Sequence, residues 1–460
     1  MSLLRCHLNS DPSMCMSMSK SRVTLYKTLT VVSSRPNILG KSHPLSVLDH
    51  AMGQHSLHII YYYKDLHYLL GSFELDPLRE SLCEVLTMYP NMTGRLARGQ
   101  DGNWEVRYND AGVRVIMANV DATLQEWLTS ANGSLEPLLI VWEDMPEDDP
   151  ITWSPFRIQI NIFNGGGVAI GLSCSHMVAD LTCLASFFKS WTETQSHLPI
   201  THPPFFTITS QLNAQPVPNT IPNSPSPYSS AQKKNMVTAT FNFSSSVIKK
   251  CLCQVHNECP NSTPFDFLSA LFWSRIARFK PPKNHDQTHY LSICTDFRRR
   301  LKIPHPTGYF GNALNFSMVS VKDIDSVGLG DITSLVHKHF EGIESEKEVD
   351  KEGKFRAPSF IYDCELTCVC MEHMIVSDSD QNESLMYSAM FSNNEKPVHV
   401  SCHVGKIANG EGLIIVMPSV EGRHARTVMV TLPEEQLVEL SKDEAILQLE
   451  PKVLLACSDR

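Results

Sequence analysis

Eight prolines fall between Ser196 and Lys234: Pro199, Pro203, Pro204, Pro216, Pro218, Pro222, Pro225 and Pro227. Each removes a backbone donor and holds φ near its ring-closed value, so no regular helix and no central strand can run through this stretch. A structureless run of that length does not fit inside one compact domain. It therefore reads as a linker over residues 196–235 that separates an N-terminal domain, 22–195, from a C-terminal domain, 236–460. A chain of 460 residues leaves each half long enough to bury its own core. No internal repeat is evident.

Both halves mix helix and strand. In the first, Asp76 stands as an N-cap before Pro77 at the first helical position, and Leu78, Leu82, Val85, Leu86 and Tyr89 form an apolar stripe that stops at Pro90. In the second, Thr263, Pro264 and Asp266 repeat the start signal, with Phe265, Leu268, Phe272 and Ile276 on one face. Helices that flank sheets in both halves predict an α/β chain.

Between Phe156 and Phe163, the apolar Phe156, Ile158, Ile160 and Ile162 alternate with Arg157, Gln159 and Asn161, the period of a half-buried strand. Gly165, Gly166 and Gly167 turn the chain, and Val168, Ile170, Leu172 and Cys174 then share a parity that His176 continues. This predicts a hairpin whose second strand ends in an inward-facing histidine. No Lys-Ser or Lys-Thr follows the glycines, so they read as a turn and not a phosphate loop. Asp180 lies four residues after His176, on the same face if the chain turns helical there. An inward histidine at a strand end is more often a satisfied core residue than a base, and spacing alone leaves both open. GLSCS, Gly171 to Ser175, is no nucleophile elbow, because Ser175 stands where the closing glycine is required.

Composition narrows the function classes. A formal net charge of -10 argues against a nucleic-acid binder, which needs a basic face for phosphates. No apolar run reaches the roughly 18 residues of a membrane-spanning helix. Fourteen cysteines are scattered without a CxxC pair, which reads as reduced core thiols rather than a disulfide scaffold. Cys368, Cys370 and His373 come nearest to a metal site but lack a second matched pair at ligand spacing, so no metal is expected. The first 21 residues, rich in Met and Ser, lack the apolar core of a secretory signal. They read as a disordered extension, and the expected compartment is the cytosol or the cytosolic face of an organelle.

Four ordered stretches resemble one family. HMVAD, His176 to Asp180, resembles the HxxxD motif of the BAHD family of plant acyl-CoA-dependent acyltransferases. YPNMTGRL, Tyr89 to Leu96, is similar to its Tyr-Pro-x-x-x-Gly-Arg-Leu stretch, and STPFDFLSALFW, Ser262 to Trp273, to one of its helix starts. DFR, followed by GYFGN through Asn312, is similar to its central block. The resemblance implies two similar chloramphenicol-acetyltransferase-like α/β domains with mixed sheets, meeting at a channel open at both ends with His176 at the interface. It also implies a monomer that binds no cofactor and uses acyl-CoA as co-substrate.

The implied reaction passes the acyl group to an alcohol or amine acceptor, with His176 as general base and no covalent acyl-enzyme. An imidazole with its unperturbed pKa of about 6.5 suits that role, which typically contributes about 10²- to 10⁴-fold. Asp180 matches a family residue that turns away from the substrate and pairs with an arginine, for which Arg298 is the matching position. A triad-like Asp180 that orients the imidazole stays open as the alternative. Arg299, Arg300 and Lys302 are candidates for contacts to CoA phosphates, against a plain solvated turn.

The departure from the family lies in FSNNEKP, Phe391 to Pro397. The family's second signature reads Asp-Phe-Gly-Trp-Gly-Lys-Pro, and here only Lys396 and Pro397 match. Asn394 stands at the indole position and is the candidate donor to the oxyanion, a contact worth on the order of 10²- to 10³-fold. Both glycines are lost, which removes backbone freedom. That loss, with LDHAMGQHSLHIIYYYK from Leu48 to Lys64 and NDAGVRV from Asn109 to Val115, resembles the eceriferum (glossy) branch. This branch is associated with very-long-chain fatty acid elongation for cuticular wax, beside a condensing enzyme at the endoplasmic reticulum. Two readings stay open: an acyltransferase, and a non-catalytic partner of an elongase condensing enzyme.

Overall fold

The computed structural model describes residues 22–35, 40–66, 77–130, 133–146, 150–206, 234–280, 287–300, 305–345, 358, 360–362, 364–375, 384–391, 394–407 and 411–455. The extension 1–21, Asp76, Lys302 and most of the proline-rich linker lie outside the described residues. Sixteen strands run through the described residues: β1 (Val23–Val31), β2 (Ser42–Pro44), β3 (Ser56–Tyr63), β4 (Arg95–Arg98), β5 (Trp104–Arg107), β6 (Val113–Thr123), β7 (Phe156–Asn164), β8 (Val168–Ser175), β9 (Met236–Phe243), β10 (Thr288–Asp296), β11 (Leu314–Lys322), β12 (Thr367–Cys370), β13 (His399–Gly405), β14 (Leu413–Pro418), β15 (Arg426–Pro433) and β16 (Lys452–Leu454).

They form a six-stranded sheet in the order β1-β6-β7-β8-β3-β13, a seven-stranded sheet in the order β11-β10-β12-β14-β15-β9-β16, and a small sheet β2-β5-β4. Both large sheets are mixed. In the first, β6 and β7 run parallel; in the second, β12 runs parallel to both β10 and β14. The α/β class with mixed sheets expected from the sequence is the architecture observed.

Local chemistry accounts for the helices that matter. Thr263 and Asp266 exchange side-chain and backbone hydrogen bonds in a capping box that opens the helix Pro264–Ala277. Its Phe265, Leu268, Phe272 and Ile276 are all buried. The helix Pro77–Leu86 buries Leu78, Leu82, Val85 and Leu86, each worth roughly 1.5–3 kcal/mol when withdrawn from water. It packs on the helix Leu181–Gln195, whose Trp191 Nε1 donates to Leu78 O at 3.3 Å and to Ser81 Oγ at 3.1 Å.

Strand β7 departs from the half-buried expectation. Arg157, Gln159 and Asn161 are as buried as the apolar residues between them, because the segment after Gly133 covers that face. Gln159 Nε2 donates to Leu138 O at 2.8 Å, Asn161 Nδ2 donates to Leu139 O at 2.9 Å, and Arg157 pairs with Glu143 at 2.7 Å. The alternation in this strand marks hydrogen bonds to a covering segment, not a wet face.

The two halves interlock. Strand β13, from the half that follows the linker, completes the first sheet, with His399 opposite Tyr62 and Gly405 opposite Ser56. Phe391, Val400 and Cys402 accordingly pack in one core cluster with Tyr61, Tyr63 and Ile170 of the first sheet. In return, Gly133 sits so close to β9 that a Cβ would lie 1.9 Å from Thr238 O. The boundary near 196–235 thus divides the chain but not the sheets, and the exchange covers an edge of β3 that would otherwise expose unpaired backbone groups. Among the described residues, no helix is long and apolar enough to cross a membrane.

Candidate functional site

Strand β8 delivers His176 to a turn that ends at Asp180, the N-cap of the helix Leu181–Gln195, where Asp180 Oδ1 accepts from Cys183 N at 3.0 Å. His176 is fully buried. Its backbone N–H donates to His55 O at 3.1 Å, and its carbonyl accepts from Asn312 Nδ2 at 2.7 Å. The ring Nδ1 lies 3.0 Å from Ala179 O. A carbonyl only accepts, so Nδ1 carries the proton and Nε2 presents the lone pair. That lone pair accepts from the Tyr362 hydroxyl, 3.3 Å away. Burial, aided by the neighbouring His55 and opposed by Asp180, lowers His176 to about 4, so the ring is neutral at pH 7.

The Asp180 carboxylate meets an arginine and not the imidazole. Arg298 donates Nη1 to Oδ2 at 2.7 Å and Nη2 to Oδ1 at 2.9 Å, and Ala313 N donates to Oδ2 at 3.1 Å. Arg298 is buried and also donates to Tyr309 O, to Gly311 O and to Asp296. Burial alone would lower its pKa, but Asp180 and Asp296 outweigh that cost and hold the guanidinium well above its ordinary value.

Three further residues came without a role from sequence reasoning. Asp49, in the capping box of the helix Val47–Ala51, accepts from Asn312 N at 3.0 Å and Nδ2 at 2.8 Å, so Asn312, from the second half, ties that helix to the His176 turn. Both residues lie in stretches quoted above for their resemblance, which was the available signal. Tyr362 lies in no such stretch, and nothing local marked it.

His176 lines a small chamber of about 20 Å³ with Leu181, Thr182, Tyr362 and Met371, room for about one water. Thr182, Asp296 and His373 line both this chamber and a larger cleft of about 270 Å³ that includes His202, Arg299 and Thr307. Thr182 Oγ1 donates to Asp296 Oδ2 at 3.0 Å and accepts from His373 Nε2 at 2.8 Å. Arg299 is exposed and donates to His373 O at 2.9 Å and Ile375 O at 3.2 Å. Arg300 shares its turn, Arg298–Arg300, without lining the cleft. Lys302 is outside the described residues.

Asn394 requires a correction. It is exposed, at φ 60°, in a turn closed by a bridge between Phe391 and Glu395. Phe391 anchors that turn against Tyr63, Phe188 and Trp191. Tyr63 lies opposite Val168 at the start of β8, whereas His176 follows its end, a separation of about 25 Å at ~3.3 Å per strand residue. Asn394 is therefore no oxyanion donor for His176. Asparagine tolerates the left-handed region better than other non-glycine residues, which suits Asn394 to its φ of 60°.

Of the two cysteines near His373, Cys368 points elsewhere. Cys368 Sγ meets Ser269 Oγ at 3.3 Å in the core of the second half, while His373 faces Thr182 and Asp296. Among the described residues, no group of three His, Cys, Asp or Glu side chains is arranged to hold a metal ion.

Residues 21–447 match the profile of a family described as "Transferase family". Protein ECERIFERUM 2 of Arabidopsis thaliana is 25% identical over 93% of this chain and 99% of its own length. A hydroxycinnamoyltransferase of Narcissus pseudonarcissus is 28% identical over 58% of this chain, and the match spans only 64% of that relative's length. Among solved structures, vinorine synthase superposes with a TM-score of 0.67 at 19% identity, covering 93% of this chain and 98% of its own. TRI101 of F. sporotrichioides, complexed with coenzyme A and T-2, gives 0.63 at 13% identity, covering 89% and 99%. At such identities the structural matches establish a shared fold.

Proposed function

Because the chain belongs to the Transferase family, that of the BAHD acyltransferases, we propose that it moves an acyl group from acyl-CoA to an alcohol or amine with His176 as general base. Nε2 takes the proton of the acceptor O–H or N–H as that oxygen or nitrogen attacks the thioester carbonyl. When the tetrahedral adduct collapses, the C–S bond breaks and the sulfur leaves as the CoA thiol, with the proton returned from the imidazolium. The observation that carries this reading is the fixed tautomer: Nδ1 is committed to Ala179 O, and a neutral, unprotonated Nε2 faces the chamber. The buried Cys174, Cys183 and Cys294 are all pushed above the ordinary thiol range, by burial first, which argues against a thiolate nucleophile and a covalent acyl-enzyme.

Asp180 and Arg298 hold the turn behind the base. Arg299, in the adjoining cleft, is the cation best placed for the phosphates of CoA, with Arg300 and Lys302 extending the basic stretch. The coenzyme A bound in the TRI101 structure supports this choice of donor. The test is thiol release by the purified protein from p-coumaroyl-, acetyl- and hexadecanoyl-CoA with mixed alcohols and amines. Release should fall roughly 10²-fold or more in His176→Ala. Undiminished release by that variant would remove His176 from the mechanism.

A second reading is favoured by the small chamber and by the match along 99% of ECERIFERUM 2. In it, the chain partners a fatty-acid elongase condensing enzyme at the cytosolic face of the endoplasmic reticulum, in very-long-chain fatty acid and wax metabolism. Co-expression of His176→Ala with a condensing enzyme separates the two. Acyl chains that still lengthen support the partner, and lengthening lost with the histidine returns the protein to chemistry.

A further inference from the structure

We propose that Tyr362 decides which acceptors reach His176, because its phenol occupies the acceptor's place on the imidazole; the inference rests on the general-base reading above. An acceptor O–H must come within hydrogen-bond distance of the Nε2 lone pair before it can lose its proton. In this structure the Tyr362 hydroxyl already does so, at 3.3 Å. Nδ1 is engaged with Ala179 O, so the ring offers no second lone pair.

The phenol is held from several sides. Its ring meets His55 edge-on at 5.2 Å and Phe316 edge-on at 5.1 Å, and lies 5.8 Å from the His176 ring. The Cys294 thiol contacts the same hydroxyl. Beside it remain about 20 Å³, which admits about one water and no larger alcohol. A substrate alcohol therefore binds productively only after displacing the phenol and taking over its hydrogen bond. The cleft lined by Thr182, Asp296 and His373 supplies an approach that does not pass through the ring. Tyr362 comes from the half that follows the linker, 186 residues from the base it covers, so acceptor choice and proton abstraction are divided between the halves.

Two variants test this. Tyr362→Phe keeps the ring and its packing but removes the hydroxyl, and Tyr362→Ala removes both. The probes are acetyl-CoA as donor with water, 1-hexanol and benzyl alcohol as acceptors. Tyr362→Phe should raise kcat/KM for 1-hexanol by about tenfold, the weight of one hydrogen bond, through a lower acceptor KM with the acetyl-CoA KM unchanged. Tyr362→Ala should in addition admit benzyl alcohol and speed thioester hydrolysis. A Tyr362→Phe enzyme with lower kcat at unchanged acceptor KM would overturn the proposal, since the hydroxyl would then serve the chemistry instead of competing with it.

Nitrogen NMR of the histidine side chains gives a readout apart from turnover. In Tyr362→Phe, the His176 Nε2 resonance should move toward that of an unbonded, unprotonated ring nitrogen. An unmoved resonance would refute the contact itself. A resonance that moves while wild type and variants alike release no CoA would refute acyl transfer, and the acceptor role with it.

Discussion

At position 176, burial acts before chemistry. A solvated histidine would put the acid limb of kcat/KM near its reference of about 6.5, but burial holds His176 at about 4. CoA release should therefore stay level from pH 8 to about pH 5 and fall only as the pH approaches that depressed value. A limb at the reference value would mean that the ring is solvated in the working enzyme. The ion pair behind it is unequal in its two partners, because Arg298 serves two carboxylates, Asp180 and Asp296. Arg298→Met strands both and should cost about 3–5 kcal/mol in urea unfolding. Asp180→Ala leaves Asp296 on the guanidinium and removes the helix cap, so its cost should be smaller, about 1–3 kcal/mol. If Asp180→Ala proves the more damaging of the two, Asp296 does not share the charge.

At the scale of elements, the decisive contacts lie where one segment covers another. The hairpin β7–β8 forms as its alternation and glycine turn predict, yet both of its faces are buried, because the segment after Gly133 supplies carbonyl acceptors to Gln159 and Asn161. That covering segment depends on a backbone approach only glycine allows. Gly133→Ala would set a Cβ 1.9 Å from Thr238 O and should cost at least about 1–3 kcal/mol. Gly165→Ala is the control: its φ is +84° with nothing within 4 Å of a Cβ, so only the left-handed conformation is penalised, at roughly 1 kcal/mol. Thermal midpoints of the two variants rank them, and equal midpoints would mean that the covering segment yields without loss.

Across the described residues, three of the histidines buried in or beside the first sheet are strongly depressed: His58 to about 3, and His176 and His399 to about 4, in each case by burial first. An unfolded histidine titrates near 6.5, so between that pH and about 4 the unfolded chain binds more protons than the folded one, and stability rises with pH there. The contribution is fully present above 6.5 and is lost as the pH falls through the folded values. Each such ring therefore contributes on the order of a few kcal/mol, set against the roughly 5–15 kcal/mol of an ordinary domain. Urea midpoints should therefore drop steeply between pH 6.5 and pH 4.5, and a midpoint unchanged over that interval would contradict the burial of these rings as neutral species.

What the sequence determined by itself is what depends on near neighbours. The α/β pattern follows from periods of two and near four, the Thr263–Asp266 cap acts within three residues, and the hairpin that carries His176 is written in one alternation and one glycine turn. The ordered motifs that led to the family are likewise short. The tertiary structure alone decided that β13 crosses into the first sheet, that Asp49 anchors Asn312 and that Tyr362 covers Nε2. It also removed Asn394 from the site by spending that turn at the far end of β3. These contacts join residues far apart along the chain, and no local pattern encodes a partner at that distance. The pKa of His176 is decided in the same way, because desolvation is set by everything packed around a group and not by the residues beside it in the chain.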